Sequence, residues 1–186
     1  MTKKFAYADP PYLGCGKRLY GDSTYDALES HSRLIQKLCD EYPDGWAMSL
    51  SSPSLRAILP LCPDDVRVCA WVKPFAAFKV GVNPGYCWEP VILRGGRKKR
   101  SRKDDTIRDY LSEPITLRRG LPGAKPAAFA LWIVNLLGAD VRQGDTIDDL
   151  FHGSGAMLGV WRPIGVVTDH RPLLDINQPR SGNAER

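Results

Sequence analysis

The chain has 186 residues, 43% hydrophobic and 25% charged, which fits one globular domain with a sizeable core. No apolar run approaches the ~18 residues of a membrane span, and MTKK leads directly into a first strand, so neither an anchor nor a targeting segment is expected and the cytoplasm is the expected compartment. The net charge of +5 is local: Arg94 to Lys103 (RGGRKKRSRK) holds seven basic residues and no acidic one, and the rest of the chain holds 19 basic against 21 acidic residues.

The first element is a short buried strand over Phe5 to Ala8. It must stop at Asp9, because Pro10 and Pro11 lack an N–H and have a fixed φ. The loop LGCGKRLYGDS follows, and Asp22 or Ser23 is placed to cap a helix over Tyr25 to Tyr42, where Leu28, Leu34, Ile35 and Leu38 recur at helical spacing. Trp46 to Leu50 reads as a strand, Ser52-Pro53 opens a short helix to about Leu59, and Val66 to Val72 is a β-rich strand. Tyr86 to Leu93 is a further strand, which Pro90 assigns to an edge or an irregularity.

Residues 95–123 lack a clear period and read as a long basic insertion. Pro126 starts a nearly all-apolar helix, AAFALWIVNLLG, stopped by Gly138. Thr146 to Phe151 is a strand, Gly153-Ser154-Gly155 a tight turn, Ala156 to Trp161 a short helix, and Gly165 to Thr168 a last strand ending at Asp169. Residues 172–186 read as a frayed tail. Strands alternating with helices, without internal repeats, predict a largely parallel α/β sheet in a single domain over 1–186.

Five cysteines, odd in number and without a C-x-x-C pair, suggest neither a disulfide framework nor a zinc site; they read as free thiols, mostly buried. The basic run reads either as a solvated loop or as a phosphate-contacting arm. Two strand ends carry the chemistry. Ligand sites of open α/β sheets lie at strand carboxyl ends, so Asp9 and Tyr12 belong either to a rigid turn or to a working surface. In DDLFHGSG, Asp148 to Gly155, glycines between a strand and a helix let backbone amides approach a ligand closely. Asp169, closing GVVTDHR, is either a turn acid or an acceptor for ribose hydroxyls.

Taken together, ADPPY, then KPAAFALWIVNLLGA, then DDLFHGSGAM resemble the DNA amino-methyltransferases in their circularly permuted arrangement, where the catalytic motif precedes the cofactor motif. WVKP and WEPVILRGG look like later strands of that fold, so the resemblance spans almost the whole chain. It implies a three-layer, mostly parallel, doubly wound sheet of the class I methyltransferase type, circularly permuted and shortened at one edge. A second subunit or the tail would cover that edge, which is compatible with a homodimer or a partner subunit.

The resemblance implies S-adenosylmethionine as cofactor, no metal, and nucleic acid, duplex DNA first, as partner. Asp9, Pro10, Pro11 and Tyr12 would be catalytic: Asp9 and the Pro10 carbonyl accept the two hydrogens of an exocyclic amine, and Tyr12 offers a face to the unstacked base. Asp149, Phe151, Gly153, Ser154, Gly155, Asp169 and Lys125 would line the cofactor, although Phe151 is equally placed to pack. Lys17, Arg18, Arg97, Lys98, Lys99, Arg100, Arg102 and Lys103 would meet phosphates. DPPY is the commoner form among adenine enzymes, which favours the 6-amino group of adenine in DNA. RNA adenine, the cytosine 4-amino group, and an inactive nucleic-acid-binding subunit of the same fold stay open as alternatives.

Overall fold

A computed structural model describes residues 1–17, 21, 23–75, 80–96, 105–116, 125–153 and 155–166. Within them one sheet of six strands is ordered β5-β3-β4-β2-β1-β6. In chain order the elements are β1 (Lys4–Ala8), α1 (Leu28–Glu41), β2 (Gly45–Ser49), α2 (Leu55–Ile58, flanked by single 3₁₀ turns), β3 (Arg67–Val72), β4 (Trp88–Gly95), β5 (Tyr110–Ser112), α3 (Ala127–Leu137), β6 (Thr146–Asp149) and α4 (Ala156–Trp161). β1 pairs in parallel with β2 and β6, and β3 with β5; β4 runs antiparallel to both β2 and β3. Five of the six strands therefore share one direction, and the sheet is mostly parallel.

Period-two alternation in β1 divides the core into two layers. Phe5 and Tyr7 face α3 and α4, in a cluster with Trp71, Phe129, Ile133, Leu137, Ile147 and Trp161. Ala6 and Ala8 face the other way, where Trp46, Met48 and Ile92 pack against Leu34, Ile35 and Leu38 of α1 and Ile58 of α2. Each fully buried large side chain contributes roughly 1.5–3 kcal/mol of burial, so both layers hold β1 at the centre of the molecule. Among the described residues no helix is long and apolar enough to cross a membrane.

Several expectations are corrected. Pro90 lies in an interior strand, not at an edge: its carbonyl accepts from Leu50 N at 3.2 Å, so its missing N–H falls opposite a residue just past the end of β2 and leaves no β2 carbonyl without its ladder donor. Helix α1 begins at Leu28 after Ala27, without a side-chain cap. Asp22 lies outside the described residues, and Asp26 turns back into the preceding loop, accepting from Gly16 N at 2.6 Å and Lys17 N at 3.0 Å. The stretch read as a long basic insertion without a clear period supplies β5, because Ala70 N donates to the Asp109 carbonyl and Glu113 N to the Val72 carbonyl, extending the sheet past β3. Only Cys69 is buried; Cys15, Cys39, Cys62 and Cys87 are half-buried.

The expectations around α3 agree with the structure: Pro126 precedes the helix, and Gly138 stops it in the left-handed conformation. Of the strand expected over Gly165 to Thr168, Val167 and Thr168 lie outside the described residues; Ile147 N donates to the Val166 carbonyl. At the opposite end of the sheet β2 and β4 meet through glycines. A Cβ on Gly45 would stand 2.4 Å from Gly96 N, and one on Gly95 would stand 2.7 Å from the Asp44 carbonyl oxygen.

Candidate active site

The carboxyl ends of β1, β2, β3 and β6 and the amino end of β4 lie along one side of the sheet. β1 is the switch strand there: the chain leaves it for β2 on one side, and β6 returns on the other, the arrangement that opens a ligand crevice in α/β sheets. Asp9 follows β1, Asp149 ends β6, Lys73 follows β3, Glu89 opens β4, and Lys125 precedes α3. Residues distant in sequence thus converge on the Asp-Pro-Pro-Tyr turn.

Pro10 and Pro11 are buried, and the turn closes with Cys15 N donating to the Tyr12 carbonyl at 2.8 Å. His31, buried on α1, brings its ring to the carbonyls of Ala27 and Pro11, tying the turn to the helix; burial lowers its pKa, with those carbonyls opposing. Beneath the turn, the Tyr7 hydroxyl and Ser49 Oγ hydrogen-bond at 2.8 Å, and the Tyr7 ring meets Trp161 edge-on at 5.7 Å. These contacts hold Asp9 and Tyr12 from below and behind.

Asp9 Oδ2 accepts from Lys125 Nζ at 2.5 Å, while Asp9 Oδ1 is shielded from solvent without a hydrogen-bond partner among the described residues. Burial raises the Asp9 pKa, and Lys125 opposes that rise through its charge and its hydrogen bond. Lys125 is itself 8% exposed, with its ammonium 5.6 Å from the Phe129 ring centroid and 4.0 Å from Glu89 Oε2. Glu89 accepts from Lys73 Nζ at 2.5 Å and from the Tyr12 hydroxyl at 2.9 Å. Burial alone would raise the Glu89 pKa, but Lys125, Lys73 and the Tyr12 hydroxyl together bring it below the usual value. Tyr12 titrates well above a free tyrosine, through burial first and then the charges of Asp9 and Glu89.

On the β6 side, Asp149 Oδ1 accepts from Phe151 N at 3.2 Å, and its buried Oδ2 has no partner among the described residues. Burial pushes its pKa up to about 7, with Asp9 adding to the rise and Phe151 N and Lys125 opposing it. The neighbouring acid is different: Asp148 is fully buried, accepts from the Tyr42 hydroxyl at 2.8 Å and pairs with Lys4 at 3.0 Å. After β6 the turn takes φ of 50° at Gly153 and 71° at Gly155, and among the described residues beyond its chain neighbours no atom stands within 4 Å of where a Gly155 Cβ would be. The Asp149 oxygen without a described partner and the open glycine turn fit a ligand that brings a cationic donor and passes close to backbone.

Of the residues singled out in the sequence, Asp9, Tyr12, Lys125, Asp149, Gly153 and Gly155 lie on this side of the sheet. Phe151 is buried in the α1 layer, 5.1 Å from the Tyr25 ring, which is a packing position. Lys17 is exposed in the loop after Tyr12. Arg18, Arg97, Lys98, Lys99, Arg100, Arg102, Lys103, Ser154 and Asp169 lie outside the described residues. Glu89 and Lys73 were not among the expected site residues. Their signal was a single charge at the end of an otherwise β-rich stretch, in VKP and in WEP, and no local pattern distinguishes that from a solvated strand end.

No protein-family model matches the chain, and no curated protein matches it. Solved structures do. The chain shares its mixed α/β fold, with a mostly parallel six-stranded sheet, with two of them. It superposes on M1.HpyAVI in complex with SAM with a TM-score of 0.60 at 14% identity, covering 92% of this chain and 85% of that one. TTHA0409 of Thermus thermophilus, assigned as a DNA modification methylase, aligns with a TM-score of 0.56 at 16% identity over 90% and 81% of the two chains.

Proposed function

We propose that the chain is an S-adenosylmethionine-dependent methyltransferase that modifies the 6-amino group of adenine in DNA. The observation that carries this reading is the place of Asp9-Pro10-Pro11-Tyr12: at the end of the switch strand, beside the glycine turn after β6, on a fold shared with DNA methyltransferases. The cofactor supplies an electrophilic methyl group on a sulfonium and leaves as a neutral thioether. Asp149 would hold its ammonium group, and Gly153 and Gly155 would admit its main chain.

The remaining task belongs to the protein. An exocyclic amine is a weak nucleophile because its lone pair is delocalised into the ring. Asp9 and the Pro10 carbonyl accept its two hydrogens, which favours a pyramidal nitrogen with a directed lone pair. Consecutive prolines suit this role, since they preset the carbonyl and leave no backbone N–H to compete with the amine. Lys125 favours the ionised form of Asp9, the form able to accept, and Asp9 is placed to take the proton that the nitrogen sheds once the new N–C bond has formed. Tyr12 provides the face on which the unstacked base rests.

The test is transfer of a radiolabelled methyl group from S-adenosylmethionine to duplex DNA, single-stranded DNA and RNA, followed by nucleoside digestion. Label in 6-methyladenine from DNA, abolished by Asp9→Ala, is the expected result. Label in cytosine or only in RNA would move the substrate assignment. Label in none of the pools, from folded protein, would overturn the enzyme reading.

A further inference from the structure

Glu89 does not belong to the turn that carries the motif, yet it meets Lys73, the Tyr12 hydroxyl and Lys125. One carboxylate oxygen accepts from Lys73 at 2.5 Å; the other accepts from Tyr12 at 2.9 Å and lies 4.0 Å from Lys125, which is bonded to Asp9. Its side chain is 16% exposed and that of Lys73 11%, so the arrangement is largely withdrawn from water. Lys73 is fixed in turn, with its ammonium 5.0 Å from the Trp71 ring centroid and its backbone N–H on the Cys87 carbonyl.

We infer that Glu89 is a positioning residue for the reaction: its carboxylate fixes the Tyr12 ring that receives the base and, through Lys125, couples that ring to the charge of Asp9. The inference rests on the methyltransferase reading above. A tyrosine ring on a proline-rich turn rotates about its side-chain bonds unless its hydroxyl is held, and Glu89 holds it with a charge-assisted hydrogen bond. A glutamate can do so here because Lys73 and Lys125 offset the cost of burying it.

The groups facing Asp9 are Lys125 before α3, Lys73 after β3, Glu89 on β4, Tyr7 on β1, Tyr12 on its own turn and Asp149 on β6. Glu89 is a negative charge that disfavours ionisation of Asp9, whereas Lys125 favours it. Removing one or the other therefore moves the Asp9 titration in opposite directions.

The experiment measures kcat and KM for nucleic acid against pH in the unmodified chain and in Glu89→Gln, Glu89→Asp, Tyr12→Phe and the Tyr12→Phe/Glu89→Gln double variant, with melting curves as folding controls. Glu89→Gln is expected to raise KM about tenfold, the effect of losing roughly 1.4 kcal/mol, and to move the acid limb of kcat/KM to lower pH. In the Tyr12→Phe background the KM effect of Glu89→Gln should largely vanish, because the hydroxyl that it holds is gone. Glu89→Asp keeps the charge and shortens the reach, so KM should rise with the acid limb unmoved; this variant also serves if the glutamine form does not fold. Additive KM effects or an acid limb unmoved in Glu89→Gln would overturn the inference while leaving the methyltransferase reading intact. Absence of transfer by the unmodified chain would instead overturn that reading, and the inference with it.

Discussion

Lys125 and Asp9 meet at 2.5 Å across 116 residues of sequence, joining the segment that enters α3 to the residue after β1. The contact closes the site between segments distant in sequence, and it opposes the loss of charge that burial imposes on Asp9. Burial already shifts this carboxylate towards its neutral form, and without Lys125 the shift would be larger.

Lys125→Met should therefore raise the Asp9 pKa further and move the acid limb of kcat/KM to higher pH. Leaving Asp9 and Glu89 without this cation should also cost roughly 3–5 kcal/mol of stability at neutral pH, the usual penalty for removing one member of a buried pair. Denaturant titrations beside the pH profile read both effects. A variant with unchanged stability and an unmoved acid limb would show that the contact plays no part in setting the charge of Asp9.

Asp149 makes a prediction of opposite character. Its folded-state pKa of about 7 lies above the 3.8 of an unfolded aspartate, so the folded protein binds more protons between those values and this group's contribution to stability falls as pH rises through that window. Asp149→Asn should accordingly gain stability relative to the unmodified protein between pH 4 and pH 8, by up to roughly 4 kcal/mol for a displacement of this size. Melting temperatures of the two proteins across that range are the measurement. If Asp149 holds the cofactor's ammonium group, the affinity for S-adenosylmethionine in calorimetric titrations should weaken as pH falls below about 7 and should be lost in the asparagine variant.

Tyr12 separates ring from hydroxyl. Tyr12→Ala should weaken productive nucleic-acid binding by about 1–3 kcal/mol, the value of one stacked base, or roughly 5- to 150-fold in KM. Tyr12→Phe keeps the stacking face and should lose only the part that depends on orientation. Equal losses in the two variants would show that the ring itself receives nothing.

The glycines predict two grades of damage. Gly45→Ala places a Cβ 2.4 Å from Gly96 N and 2.9 Å from the Arg94 carbonyl oxygen, backbone atoms of a paired strand that cannot turn aside, and should cost about 3 kcal/mol or more. Gly155→Ala meets open space and is penalised only by its left-handed φ, roughly 1–2 kcal/mol. Denaturant midpoints check both. If the glycine turn admits the cofactor as proposed, the second variant should also bind S-adenosylmethionine more weakly, because the added methyl group would occupy that space.

The basic run can be tested directly. Changing Arg97, Lys98, Lys99, Arg100, Arg102 and Lys103 to glutamine should flatten the dependence of DNA affinity on salt by about 0.9 in the log–log slope for each phosphate no longer neutralised. Binding measured from low to moderate salt gives that slope. An unchanged slope would assign the phosphate contacts to other residues.

What the sequence determined by itself is local. Apolar periodicity placed β1, β2, β3 and most helices within a few residues, and Pro126 and Gly138 bounded α3, because backbone dihedrals and a buried face are written into consecutive residues. The Asp-Pro-Pro-Tyr turn was legible for the same reason, as two prolines end a strand whatever surrounds them. Tertiary structure alone decided the rest. That Pro90 can stand in an interior strand depends on where β2 ends, and that 110–112 form a strand depends on the open edge of β3. Asp148 and Asp149 are adjacent and chemically identical, yet one is bonded to Tyr42 and Lys4 and the other keeps a buried oxygen without a described partner. Glu89 and Lys73 enter the site only because β3 and β4 pair antiparallel and bring one strand's end beside the other's beginning. Electrostatic environment is a property of neighbours in space, and a residue's neighbours are chosen by the sheet.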